Sequence, residues 1–262
     1  MHVETGSVHL HTYYVDEKAI QKGHVYLSTF LDQNRNVVFV AEGNDSGSVG
    51  RFRDHLESKN GKAEDVKHIS SDMGSGYLKG AKTYFPNAKV TLDHFHVMQH
   101  MTEAVNDVRR REYAALVDEQ DEERRMLKGQ RYLFLKNYKN LDEGRKQALK
   151  GLMDTFHDLG RIYVFKEGMR GIWGMSNKHD GQEFLQKWCT EARIEGIPEL
   201  DKVVDMVERN QENILNWYSS RITNGVMEAF NSVLQAFKGR ARGYRSFERY
   251  RTMIYLRGSP LC

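Results

Sequence analysis

Along the first hundred residues, short apolar runs alternate with turn-forming residues, and beyond residue 95 the apolar spacing lengthens to that of helices. Residues 8–15 are rich in β-formers, Gly23 restarts the pattern into residues 24–31, and Gln33-Asn34-Arg35 supplies a hairpin before residues 36–42. Three antiparallel strands follow most simply. Val49, Phe52 and Leu56 fall at helical spacings, which predicts a helix capped by Ser46 or Ser48 and stopped by Gly61. Residues 66–70 then predict a fourth strand. Gly74 and Gly76 open a second helix carrying Tyr77, Leu78, Ala81 and Tyr84, and Pro86-Asn87 turns the chain into a fifth strand at 89–92. The order β-β-β-α-β-α-β predicts a mixed α/β sheet in which a crossover helix links parallel strands.

Strand signals then nearly vanish. Residues 96–123, 126–138, 143–156, 158–166, 182–192 and 199–217 all read as helix. The runs Arg109-Arg110-Arg111 and Asp121-Glu122-Glu123-Arg124-Arg125 read as solvated helix faces. Trp173, Trp188 and Trp217 suit the core of this helical stretch. A last helix over 225–237 precedes a basic, glycine-containing stretch at 238–245.

Composition narrows the class. An apolar fraction of 39% with 11% aromatic residues supports a folded core, and three prolines exclude proline-rich linkers. Cys189 and Cys262 are too few for a disulfide framework or a cysteine zinc site, which suits a reducing cytosol. No apolar run nears the roughly 18 residues a bilayer requires, and the first fifteen do not read as a signal peptide. A cytoplasmic protein with no membrane partner is expected. The net charge of +3 hides an asymmetry: residues 221–262 carry eight basic and two acidic side chains, leaving the rest of the chain at −3.

Three acids stand where acids are unusual. Asp16 is expected to end the first strand and Asp72 the fourth, while Glu228 lies on the last helix among Val226, Met227, Ala229 and Phe230. Alone, each reads as a turn former or a surface residue. Together they differ, because functional groups gather at the strand ends of parallel sheets. Neighbouring first and fourth strands would bring Asp16 beside Asp72, and two such carboxylates repel unless a divalent cation lies between them. Oxygen-only ligands suit magnesium or manganese.

The run from Val15-Asp16-Glu17 to Val25-Tyr26 resembles the opening of the catalytic domain of insertion-sequence transposases of the ISL-three family. Ser71-Asp72-Met73 with Tyr77, Tyr84-Phe85-Pro86-Asn87-Ala88, and Leu92-Asp93-His94-Phe95-His96-Val97 resemble its next blocks. Asn224-Gly225-Val226-Met227-Glu228-Ala229-Phe230-Asn231, followed by Lys238 and Arg242-Gly243-Tyr244, is similar to the closing block. The blocks occur in order over residues 15–250. The resemblance implies a ribonuclease H-like fold with a DDE triad of Asp16, Asp72 and Glu228, the 155 residues between the last two housing a large all-helical insertion before the catalytic helix. Residues 1–97 would form the first part of the core, 98–220 the insertion, and 221–262 the last catalytic helix with a basic tail. Glu17 faces away from Asp16 if both lie in one strand, and Asp16 holds the motif position.

The resemblance further implies DNA cleavage and strand transfer by a two-metal mechanism, with two magnesium or manganese ions activating water and then a 3′-hydroxyl. Lys238, Arg240, Arg242 and Arg245 would neutralise DNA phosphates, and Tyr244 would stack on a base or pack in the core. Asp93 and His96 form an Asp-x-x-His motif with a structural or DNA-orienting role; a metal site of His94, His96 and His100 is the other reading. Transposon ends and target DNA are the implied partners, the setting is a bacterial cytoplasm, and the active form is expected to be a homo-oligomer. Relatives resemble longer chains with a cysteine-rich segment and a helix-turn-helix ahead of the catalytic domain, so a truncated transposase lacking that DNA-binding region is expected. Two rivals stand beside it: a ribonuclease H-like nuclease that cuts without joining, and a catalytically idle DNA-binding or regulatory remnant. No Gly-x-Gly-x-x-Gly, Walker A or Gly-x-Ser-x-Gly pattern supports a metabolic enzyme.

Overall fold

A computed structural model of the chain describes residues 11–19, 26–116, 122–222, 225–240 and 246–258. Its residues divide into two compact units, one of 1–94 with 219–262 and the other of 95–218.

The first unit holds the strands β1 (Thr12–Ala19), β2 (Tyr26–Asp32), β3 (Val37–Glu42), β4 (His68–Ser71) and β5 (Lys89–Leu92), with helices α1 (Ser46–Ser58) and α2 (Ser75–Tyr84) between them. The sheet runs β3-β2-β1-β4-β5. The first three strands pair antiparallel, and β4 and β5 join parallel to β1. This is the mixed sheet expected from the alternating pattern, and it accords with a ribonuclease H-like fold. Asp32 closes the β2–β3 hairpin: its Oδ1 accepts the backbone N–H groups of Asn34 and Asn36 at 2.8 and 2.9 Å, while Arg35 takes the left-handed turn position at φ 71°.

Two details differ from the expectation. Asp16 does not end β1: the ladder with β2 continues to Ala19↔Tyr26, whereas pairing with β4 stops at Tyr14↔Ser70. Asp16 is thus inside the strand on one edge and just past the pairing on the other. The cap of α1 is Asp45, whose Oδ1 accepts Ser48 N–H at 2.9 Å. Ser48 is instead buried and donates its own hydroxyl to the Asp45 carbonyl.

The second unit is all helical: α3 (His94–Ala115), α4 (Glu122–Leu127), α5 (Arg131–Leu135), α6 (Glu143–Thr155), α7 (His157–Met169), α8 (Lys178–Ile194), α9 (Pro198–Arg209), α10 (Gln211–Leu215) and α11 (Trp217–Ser220). The single helix expected over 96–123 ends at Ala115; a charged segment with no apolar stripe follows, and Arg124 of α4 donates to the Leu116 carbonyl. Trp188 is buried, donating to the Phe165 carbonyl and meeting the Phe165 ring edge-on.

The chain returns to the sheet with α12 (Gly225–Arg240) and α13 (Phe247–Gly258). The latter lies where the sequence suggested only a basic tail. Each face of the sheet is covered. Tyr13, Val15, Phe30 and Ile69 pack with Phe52 of α1 and Tyr77 of α2 on one side. Leu27, Leu31, Val37 and Val40 pack with Met227 and Leu234 of α12 and Tyr250 and Ile254 of α13 on the other. Burial on both faces leaves almost all of β2 buried, the polar Ser28, Thr29 and Asp32 included. Among the described residues no helix is long and apolar enough to cross a membrane.

Candidate active site

Alternation along β1 sends its residues to different layers. Tyr13 and Val15 enter the cluster beneath α1 and α2, and Tyr14 joins the cluster beneath α12 and α13. Asp16 follows Tyr14 and Glu17 follows Val15. The hydrogen bonds agree with that division. Asp16 Oδ2 accepts the side-chain amide of Asn231 on α12 at 2.5 Å. Glu17 Oε2 accepts the amide of Asn44, in the loop between β3 and α1, at 2.5 Å.

Asp72 follows β4 by one residue. The β1–β4 register pairs Thr12 with His68, Tyr13 with Ile69 and Tyr14 with Ser70. Continued two residues further, the same offset sets Asp16 level with Asp72. Adjacent strands lie about 4.8 Å apart, so these two acids share one end of a strand pair. The carboxylate of Asp72 turns back on its own backbone, Oδ1 accepting Gly74 N–H at 2.8 Å. Gly74 also leaves it room: a Cβ there would stand 2.9 Å from that oxygen.

Asp16 is held in a similar way, its Oδ1 accepting the N–H of Glu17 at 2.8 Å. With Asn231 on Oδ2, both oxygens have a donor that fixes their direction. Glu228 occupies the position one turn before Asn231 on α12; its side chain lies outside the described residues. Asn231 belongs to the closing motif, where the sequence alone assigns it no role. Its spacing from Glu228 was the available signal.

On the α1/α2 side, the Tyr77 hydroxyl meets the Ser28 hydroxyl at 2.7 Å in the core. Burial pushes the Tyr77 phenol well above its ordinary range, the Ser28 bond opposes this, and the negative charges of Asp72, Glu17 and Asp16 reinforce it. Burial is the main cause, and the three carboxylates add to it from the same end of the sheet.

Asp93 and His96 separate in environment. Asp93 is buried at the end of β5, with Oδ1 3.3 Å from Nδ1 of the adjacent His94. His96 lies on α3 with its ring edge-on to Phe95. Lys238 and Arg240 fall on the last turn of α12, where their side chains are outside the described residues, as are Arg242 and Arg245 altogether.

The residues fit a hard divalent cation. The offset of β1 and β4 carries Asp16 toward Asp72, a glycine leaves space at Asp72, and carboxylate oxygens suit such an ion. Among the described residues no three His, Cys, Asp or Glu side chains cluster as a complete metal site, and the side chain of Glu228, the third acid of the expected triad, is not among those described.

A family model described as transposase, for DDE enzymes of the ISL3 type, matches residues 14–254. The chain is 26% identical over 235 residues to the transposase for insertion sequence element IS1001 of Bordetella parapertussis, covering 89% of this chain and 57% of that protein. It is also 26% identical over 253 residues to the transposase for insertion sequence element IS1557 of Mycobacterium tuberculosis, covering 88% of this chain and 56% of that protein. The chain thus spans a little over half the length of these relatives.

Proposed function

The chain belongs to the ISL3-type family of DDE transposases, and on that premise we propose that it carries the catalytic part of an enzyme that cleaves DNA and joins the freed end to a target, with Asp16, Asp72 and Glu228 as its acidic triad. The observation that supports the reading is the β1–β4 register, whose offset, continued two residues past Tyr14↔Ser70, would bring Asp16 level with Asp72.

The three carboxylates would hold two magnesium or manganese ions, which when bound activate the attacking oxygen and offset charge on the phosphate. The protein's own contribution is orientation. Glu17 N–H and the Asn231 amide aim the Asp16 carboxylate, and Gly74 N–H aims that of Asp72. Such preset donors spare the site from reorganising during the reaction. Water and then a DNA 3′-hydroxyl serve as nucleophiles, so no side chain needs to form a covalent bond with DNA.

Lys238, Arg240, Arg242 and Arg245 would bind backbone phosphates, with affinity falling steeply as salt rises. Asp93 and His96 have an accessory role in shaping the end of β5 and the start of α3. Transposon ends and target DNA are the proposed substrates, and a homo-oligomer is the proposed active form.

The test is a supercoiled plasmid and a labelled duplex with a free 3′-hydroxyl, incubated with the full chain and magnesium or manganese. Metal-dependent nicking and joining, both lost in Asp72→Asn, is the expected result. Nicking without joining would point to a nuclease. Equal product from both proteins, or none from either, would remove the triad reading.

A further inference from the structure

We propose that Asn231 is a positioning residue of the acid pair: its amide sets the Asp16 carboxylate in the direction from which the pair takes a divalent cation. The inference rests on the reading of Asp16 and Asp72 as cation ligands. It adds a residue that the triad does not contain.

The contact joins distant parts of the chain. Asn231 Nδ2 donates to Asp16 Oδ2 across 215 residues of sequence, and it is the described side-chain link from α12 to the acid on β1. Met227 and Leu234 flank Asn231 on α12, and both are fully buried against the sheet. The helix face that carries Asn231 is therefore seated by apolar packing, and the amide stands at a fixed height over β1.

The chemistry of the amide suits this task. A free carboxylate rotates about its Cβ–Cγ bond, and a cation site loses affinity when its ligands must first be ordered. Donors on both Asp16 oxygens remove that freedom. An arginine or lysine in place of Asn231 would hold the carboxylate more strongly, but its charge would cancel the negative field that draws a cation. An amide donates without adding charge. It also keeps its proton at every pH where the carboxylates are ionised, so the alignment does not titrate. The apolar packing that seats Asn231 also seats the backbone of Glu228, one turn earlier on α12.

The experiment is manganese binding to the full chain, read from the free-ion electron paramagnetic resonance signal, alongside thermal unfolding without metal. Asn231→Ala removes the donor, and Asn231→Leu removes it while filling nearly the same volume within an apolar face. Asn231→His, studied at pH 8, restores a neutral donor at a similar reach. Asp16→Asn and Asp72→Asn serve as reference variants. Expected are loss of binding in both aspartate variants, a roughly 10–100-fold weaker affinity in the alanine and leucine variants, as for other residues that orient metal ligands, and recovery in the histidine variant. If the aspartate variants lose the ion while Asn231→Ala and Asn231→Leu bind it as tightly as the parent, the positioning role is overturned and the acid pair stands, even if the unfolding temperature drops. If the aspartate variants bind manganese like the parent, the acid pair itself fails, and this inference with it.

Discussion

The hydroxyls of Ser28 and Tyr77 meet at 2.7 Å in the core, on the side of the sheet opposite Asp16. Their protons can be assigned. Ser28 donates to the Gly43 carbonyl at 2.6 Å and Ser48 donates to the Asp45 carbonyl at 2.7 Å. Tyr77 is therefore the donor to Ser28, in keeping with a phenol that burial holds protonated. Tyr77→Phe should cost about 1 kcal/mol in urea unfolding, as for one internal hydrogen bond. Ser28→Ala should cost more, up to about 3 kcal/mol, because it takes the acceptor from a buried phenol and a donor from the part-buried Gly43 carbonyl. The double variant should cost less than the sum of the two.

Asp16 and Glu17 are neighbours in sequence and belong to different layers of the fold. Asp16→Asn should therefore lower metal-dependent nicking by more than the roughly 100-fold expected for a residue outside the ligand set. Glu17→Gln should leave nicking within a few-fold of the parent. Equal losses in the two variants would contradict the assignment.

The N-terminal turn of α2 lies against the loop that supplies Asn44. A Cβ at Gly76 would stand 2.7 Å from the Asn44 carbonyl oxygen and 2.8 Å from the Asp45 Cα. Both are backbone atoms that cannot swing aside. Gly76→Ala should destabilise the chain by about 1–3 kcal/mol, the range for overpacking. Gly80→Ala should act similarly through Val49, whose Cβ would be 2.7 Å away. Urea unfolding at neutral pH measures both.

Lys166 is a buried cation in the helical unit. Its Nζ donates to the carbonyls of Phe134 and Lys136 at 2.8 and 2.9 Å and lies 3.2 Å from Glu167. Burial pushes its ammonium from 10.5 down to about 8, against support from Glu167, with Arg170 adding to the fall. Below that value, folded and unfolded chains are both protonated and the full cost of the buried charge is present. Between there and lysine's ordinary range, the unfolded chain holds a proton that the folded chain has released, so stability rises with pH. The neutral amine keeps two protons for its two carbonyls. Lys166→Met should lack this rise. Measured from pH 7 to 10, the stability of the parent minus that of the variant should increase by up to about 1.4 kcal/mol per pH unit above pH 8. Groups such as Cys189, whose thiol burial pushes up to about 11, cancel in the difference. A constant difference would refute the assignment.

Much of the core was legible because its signals are local. The hairpin at residues 33–35, the turn at Pro86-Asn87 and the strand Lys89–Leu92 follow from residues that restrict their own backbones. The errors have physical causes as well. Ser46 and Ser48 looked like caps because serine is a good one, yet Asp45 lies one position earlier with a longer reach, and Ser48 is drawn into the core. Helix α13 was hidden by Arg249 and Arg251. Its apolar positions Phe247, Tyr250 and Ile254 do recur at helical spacing, and they meet the face that β2 and β3 leave open.

The sequence by itself determined the order of the elements, the identity of Asp16, Asp72 and Glu228 as acids in unusual places, and the separation of Asp16 from Glu17 by strand alternation. These depend on preferences spanning a few residues. Only the tertiary structure decided that β1 pairs with β4 in the register Tyr14↔Ser70, that Glu17 turns to Asn44, and that Asn231 reaches Asp16 from 215 residues away. Strand register and helix docking are set by which distant apolar faces bury one another, and no local pattern carries that information.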